Sequence, residues 1–355
     1  MKASIVVLIA LSFVGCGLKQ DIPSEAPTAM AAAKTANIAP LPKLSLKHDT
    51  FLESQIADIA QQAEGRVGVS AVLLETGDAA ELNGGDQFPM QSVYKLPIAM
   101  AVLYDSSQGK LSLNQQISVR PSDFVRAGVR SPIRNLFPQG GVFTIRELLA
   151  QAISESDGTA NDVLLEQAGG PTGVMDYLKK LGVENMFVMD SEKDIFKDWD
   201  TQYRNSASPR ATIELLRQLQ FGAGIAADPR QELLYLMKSS GPGWRRLKRL
   251  LPKDVEIAHK TGTGGTKAVA IGNTNTNTPV ASAITPHTKP SSPPLPASSP
   301  QIISSSTNDV GIIYLPNGKH ILIAIYVSNS PAPAFVREKT IAEIAKAVWD
   351  RWNGQ

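Results

Sequence analysis

Strand-like segments fall only near the two ends of this chain, and a long run of helical segments separates them. Val67-Gly68-Val69 to Leu73-Leu74 reads as a buried strand, Thr76-Gly77-Asp78 as a turn, and the stretch around Ala80 to Leu82 as a returning strand. The last third supplies Val255 to Thr263, then Val310 to Leu315 and Ile321 to Val327 around Pro316-Asn317-Gly318, a hairpin signal. The middle is helical. Thr144-Ile145-Arg146-Glu147 is a capping box opening a helix to about Ser154. Helices follow over Thr159 to Gln167, stopped by Gly169-Gly170, and over Pro171 to Leu181, ended by Gly182. Ser208-Pro209 and Asp228-Pro229 each pair a cap with proline at a helix start. Apolar spacing from Thr50 to Ala60 and from about Ala334 to Trp352 adds a helix at each end. This order predicts an α+β fold, an α/β sandwich. Its antiparallel sheet is closed by both chain ends, flanked by the N- and C-terminal helices, and interrupted by an inserted all-helical lobe.

With 355 residues, 43% of them hydrophobic, the chain can bury a large core. A net charge of +2 is too small for a dominant polyanion-binding surface, so no nucleic-acid partner is expected. His48, His259, His287 and His320 are scattered without ligand spacing, which argues against a zinc site, and no cofactor is expected. Monomer is the default state.

Cys16 is the only cysteine, so no internal disulfide can form. It follows Lys2, a short apolar run from Ile5 to Leu11, and Phe13-Val14-Gly15. The run is too short to span a bilayer, so residues 1–16 read as a secretory signal, with Cys16 at the place of a bacterial lipoprotein's lipidated residue. The alternative is an ordinary cleaved signal. Residues 17–48, rich in Ala, Pro, Lys and Ser, read as a tether, and 49–355 as the folded domain. Within it, about 268–306 holds seven prolines and Lys289 as its only formal charge, and reads as a disordered insertion between two strands.

Ser92-Val93-Tyr94-Lys95 sets a hydroxyl and an ammonium three residues apart, one turn apart on one face if the word opens a helix. Developing negative charge is favoured at such a helix start, and an adjacent amine can activate a weak hydroxyl. Lys260-Thr261-Gly262 brings a second lysine, Ser156-Asp157-Gly158 lies between two predicted helices, and Glu192 lies in an irregular stretch beyond them. Each has a plain alternative: Ser92 or Asp157 as a helix cap, Lys95 as a solvated helix residue, Lys260 as a strand-edge lysine, Glu192 as part of a solvated charged loop.

In order and separation these words resemble those of a class A serine β-lactamase, and the resemblance covers the chain from Asp49 onward. It is strongest to the extended-spectrum subgroup with Gln before the nucleophile, here Gln91, and an enlarged Ω loop. The resemblance implies that Ser92 attacks the β-lactam carbonyl, Lys95 helps take its proton, and Ser156 passes a proton to the leaving nitrogen. It implies that Lys260 and Thr261 hold the substrate carboxylate with help from Arg246. The backbone N–H groups of Ser92 and of Thr263, just past Gly262, would form the oxyanion hole. Glu192 would activate the water that frees the acyl group.

Three departures stand out. Gly158 offers no amide where the family usually has Asn. Phe196 stands where an Asn usually shares the deacylating water, so slow deacylation is expected. Asp190 replaces an arginine that pins the Ω loop, so that loop must be held differently. A DD-peptidase, a non-hydrolytic β-lactam or peptidoglycan binder, and an envelope structural lipoprotein remain as alternatives.

Overall fold

The structure is a computed structural model that describes residues 38, 41–195, 197–269 and 301–354. Seven strands make the main sheet. β1 (Lys47–His48), β2 (Arg66–Leu73) and β3 (Asp78–Leu82) come from the front of the chain. β4 (Ile257–Thr263), β5 (Thr266–Val269), β6 (Gln301–Tyr314) and β7 (His320–Ser330) come from its end. The seam is the antiparallel pair β2–β7, with Leu73 opposite Ile321 and Val67 opposite Val327, so the two ends do close one sheet. β6 pairs with β5 through its first residues and with β4 through its later ones, setting Val310 opposite Lys260. Among the described residues, only the short β1 runs parallel to its neighbour, β3.

Helices cover both faces. α1 (Thr50–Ala60) lies on one side. The lobe on the other contains α2 (Lys95–Ser107), α3 (Ile145–Ser154), α4 (Gly158–Gln167), α5 (Gly170–Leu181), α6 (Pro209–Phe221) and α7 (Ala227–Lys238). α8 (Ala334–Trp352) returns to the side of α1. The period of two in β7 divides the core. Ile321, Ile323, Ile325 and Val327 pack with Leu52, Ile56, Ile344 and Trp352 of the terminal helices. Leu322, Ala324 and Tyr326 pack toward the lobe with Phe88, Ile98 and Leu216. Each such side chain contributes about 1.5–3 kcal/mol on full burial. The strand therefore reads as a continuous apolar run although the sheet is antiparallel.

Local signals set the boundaries. Thr144 Oγ1 accepts from Glu147 N–H at 3.2 Å and Glu147 Oε2 accepts from Thr144 N–H at 2.7 Å, so the capping box forms. Gly182, at φ +71°, ends α5 in the left-handed region. At the hairpin, Gly318 at φ +83° turns the chain between Leu315 and Lys319. Asp228-Pro229 differs slightly. α7 begins two residues earlier, at Ala227, and its first turn absorbs the proline because no N–H is needed there.

Two expected boundaries move. The folded chain begins before Asp49: Lys47 N–H donates to Gly77 O at 2.8 Å, and Ile38, Leu44 and Leu46 pack against the lobe core. Of the stretch read as insertion, Ala268–Val269 and Gln301–Ser306 are strand, with Val269 opposite Gln301. Polarity hid that part of β6, yet Ser304, Ser305 and Ser306 are buried and Ser306 Oγ donates to Asn308 Oδ1 at 2.7 Å. Ladder pairing satisfies the backbone, so a serine-rich segment can be a strand. Residues 270–300, the signal segment, Cys16 and Lys289 lie outside the described residues.

Candidate active site

Gln91–Tyr94 form a 3₁₀ turn that runs into α2, with Gln91 in the left-handed region at φ +48°. This strained approach delivers Ser92 to the cleft and sends Lys95 into the interior. Lys95 Nζ, fully buried, donates to Ser92 Oγ at 2.9 Å and lies 3.2 Å from Glu192 Oε2. One ammonium therefore touches both the expected nucleophile and the expected base. An ammonium left unpaired at that depth would cost several kcal/mol.

Ser156 also has a left-handed backbone, φ +58°, in the turn between α3 and α4. Its hydroxyl accepts from Lys260 Nζ at 2.9 Å. Lys260 reaches it from β4 with no exposed surface. Burial first, and then the charge of Lys95, hold the Lys260 ammonium well below the usual lysine range. Asp157 has a structural task. Its carboxylate accepts from Ala160 N–H at 3.0 Å, capping α4, and from Ile133 N–H at 2.7 Å and Ser131 Oγ at 3.0 Å.

Glu192 starts a single helical turn, Glu192–Ile195, which α4 fastens from below. Asp162 accepts from Glu192 N–H at 2.6 Å and from Lys193 N–H at 3.1 Å. Burial, with the nearby Glu192 charge adding to it, pushes the Asp162 carboxyl up to about 7. Glu192 Oε2 also accepts from Tyr94 OH at 2.5 Å. The Ω loop is held by Asn205. Its Oδ1 accepts from Met189 N–H at 2.7 Å and Asp190 N–H at 2.9 Å, and its Nδ2 donates to Asp190 O at 2.8 Å. Asp190 itself pairs with Arg204 at 3.3 Å. Gln91 ties the same loop to the nucleophile's turn through Gln202, at 3.0 Å. Phe196 lies outside the described residues.

Arg246, expected to help hold the substrate carboxylate, lies behind β4. Its guanidinium is buried and bound to Gly262 O at 3.0 Å, Asn308 O at 2.8 Å, Thr263 Oγ1 at 2.7 Å and Glu338 at 3.4 Å. A buried guanidinium must satisfy its donors, so Arg246 braces β4 and orients Thr263 from behind. Ser92, Ser156, Glu192, Thr261 and Thr263 line one cleft of about 300 Å³, with Arg130 and Pro242 at its wall. A neighbouring hollow of about 500 Å³ runs past Val129 and Gly265 to Trp199 and Gln202 of the Ω loop. The structure brings Ser92, Lys95, Ser156, Glu192, Lys260 and Thr261, all expected at the site, together in one place. Sequence reasoning missed Asp162, Asn205 and the part played by Tyr94. Tyr94 stood inside the first word, but nothing local to it names a partner about a hundred positions away.

A sheet and helical lobe meeting at a serine shared with one buried lysine, and a carboxylate behind that lysine, define an active-site-serine acyl hydrolase. Residues 51–352 match the Beta-lactamase enzyme family. The chain is 33% identical to Beta-lactamase VEB-1 of Pseudomonas aeruginosa over 84% of its length and 89% of that protein's. It is 31% identical to Extended-spectrum beta-lactamase PER-1 of the same organism, over 84% of its length and 86% of that protein's. A crystal structure of a β-lactamase from Chitinophaga pinensis superposes with a TM-score of 0.73 at 35% identity, covering 85% of this chain and 99% of that one. The chain belongs to this family, as a class A serine β-lactamase.

Proposed function

We propose that the chain opens β-lactam antibiotics through an acyl-enzyme on Ser92 and then hydrolyses that ester. Ser92 Oγ attacks the lactam carbonyl as its proton passes to Lys95, 2.9 Å away, while the Lys95 ammonium hands one of its own protons to Glu192 Oε2 at 3.2 Å. Backbone N–H groups of Ser92 and Thr263 stabilise the oxyanion, each such donor being worth about 10²–10³ in rate. As the C–N bond breaks, Ser156 gives its proton to the lactam nitrogen, and Lys260, 2.9 Å from Ser156 Oγ, sustains that transfer. Lys260, Thr261 and Thr263 receive the substrate carboxylate, with Gly262 setting the backbone between them and Arg246 holding Thr263 in place. Glu192, ionised again, then takes a proton from water and the hydroxide adds to the ester carbonyl; the ester C–O bond breaks and the proton returns through Lys95 to Ser92 Oγ. No metal or cofactor enters this scheme.

The observation that carries this reading is the single ammonium of Lys95 in contact with both Ser92 and Glu192. The experiment is turnover of a chromogenic cephalosporin followed beside intact-protein mass spectrometry. Ser92→Ala should take up no penicillin, and Glu192→Gln should hold a lasting adduct. Permanent acylation of the unaltered protein would instead mark a DD-peptidase or a non-hydrolytic binder. We place the enzyme, as a monomer, outside the inner membrane, exported by residues 1–16 and anchored by lipid on Cys16. Incorporation of labelled palmitate, lost in Cys16→Ser, tests the anchor.

A further inference from the structure

The first word holds a hydroxyl that the scheme above leaves idle. Tyr94 is fully buried, and burying a phenol oxygen is costly unless it is hydrogen-bonded. Here it has two partners. Asn161 Nδ2, on α4, donates to the phenol oxygen at 3.0 Å, and the phenol donates to Glu192 Oε2 at 2.5 Å. Burial and the Glu192 charge push the Tyr94 hydroxyl well above the ordinary tyrosine range, so it remains a donor throughout the working pH. Lys95 Nζ reaches the same carboxylate oxygen at 3.2 Å.

Two donors from different directions on one oxygen stop the carboxylate from turning about its terminal torsion, which is otherwise soft. They leave the second oxygen, Oε1, which has no hydrogen-bond donor among the described residues, as the one available to a reacting water. The fixed orientation matters more here because Phe196, four residues past the base, has no polar side-chain atom to share that water. A phenylalanine at position 94 would fill nearly the same volume, so packing alone gives no reason for the oxygen.

We infer that Tyr94 is a positioning residue for hydrolysis: the chain Asn161–Tyr94–Glu192 fixes which carboxylate oxygen takes the proton from the deacylating water. This rests on Glu192 being the general base.

The test compares wild type, Tyr94→Phe, Asn161→Ala and Glu192→Gln. Each is acylated with a penicillin, separated from excess, and followed by intact mass as the adduct decays; acylation is timed separately by stopped flow. Tyr94→Phe should slow first-order release about tenfold and leave acylation within about threefold, as expected for one lost hydrogen bond to a charged group. Asn161→Ala should slow release in the same sense by a smaller factor. A purely structural loss would change the melting temperature or the active fraction, neither of which slows first-order release while leaving acylation alone. Wild-type release in Tyr94→Phe, beside a trapped adduct in Glu192→Gln, would overturn the inference alone. Free release by Glu192→Gln would overturn the general-base reading and this inference with it.

Discussion

Gly158 lies directly against Glu192: a Cβ added at Gly158 would stand 2.9 Å from Glu192 Cγ, and 3.3 Å from both Arg130 O and Val125 Cγ1. Carbon atoms that are not bonded do not pack that closely. The glycine that looked from the sequence like a lost substrate contact is also the space in which the carboxylate stem rests.

Gly158→Ala should therefore push Glu192 off its seat and slow release of the acyl-enzyme by tenfold or more on the order-of-magnitude scale set by misplaced catalytic groups. Gly158→Asn restores the usual family amide, yet it should turn over more slowly than wild type rather than faster. Decay of a preformed adduct, read by mass spectrometry, decides this; faster decay in either variant would sink the steric account.

Asn205→Ala removes three hydrogen bonds that close the Ω loop on Met189 and Asp190. At about 1 kcal/mol net for each, the variant should lose roughly 2–3 kcal/mol. Thermal denaturation measures the loss, and limited proteolysis between residues 189 and 205 should speed up with it. Wild-type stability and cleavage rates would mean that the Asp162, Gln202 and Arg204 contacts hold the loop without Asn205.

The lowered Lys260 ammonium sets a pH dependence. As pH rises, Lys260 loses its proton below the usual lysine range, and the cleft loses the charge that receives a carboxylate. kcat/KM for penicillins should show an alkaline limb well below the ordinary lysine value of about 10.4. The unfolded chain keeps that proton longer, so this group's contribution to stability improves as pH rises through the same window. A flat kcat/KM up to the ordinary lysine range would contradict this.

Asp162 carries the opposite sign. Its folded value of about 7 lies above its ordinary 3.8, so between them the folded protein binds a proton that the unfolded chain has lost. Stability from this group is present below the lower value and declines as pH rises to the upper one, by at most about 1.4 kcal/mol per pH unit. Asp162→Asn should flatten that decline. Urea melts at a series of pH values test it, and parallel curves for the two proteins would refute it.

Much of the fold was legible because its signals are local. The Thr144 capping box, Gly182, the Pro316-Asn317-Gly318 turn and the apolar run from Ile321 to Val327 each depend on neighbours a few residues away. The serine-rich start of β6 was not legible, because its strand state comes from pairing with β5 and β7 rather than from its own hydropathy. Among site residues, Asp157 could be read as a cap from its position before α4. Asp162 and Asn205 carry no such sign, since each works on backbone that is 15 or more positions away.

By itself the sequence determined which residues are candidates for the chemistry and the order in which the chain presents them: Ser92 with Lys95, Ser156, Glu192, then Lys260 with Thr261. Side-chain type and short-range spacing are written directly in the chain. Only the tertiary structure decided who touches whom. It turned Arg246 away from the cleft to brace Thr263, set Tyr94 on Glu192, and made the bare Cα of Gly158 a seat for the base. Those contacts join segments far apart in sequence, and packing density, which no local pattern encodes, fixes them.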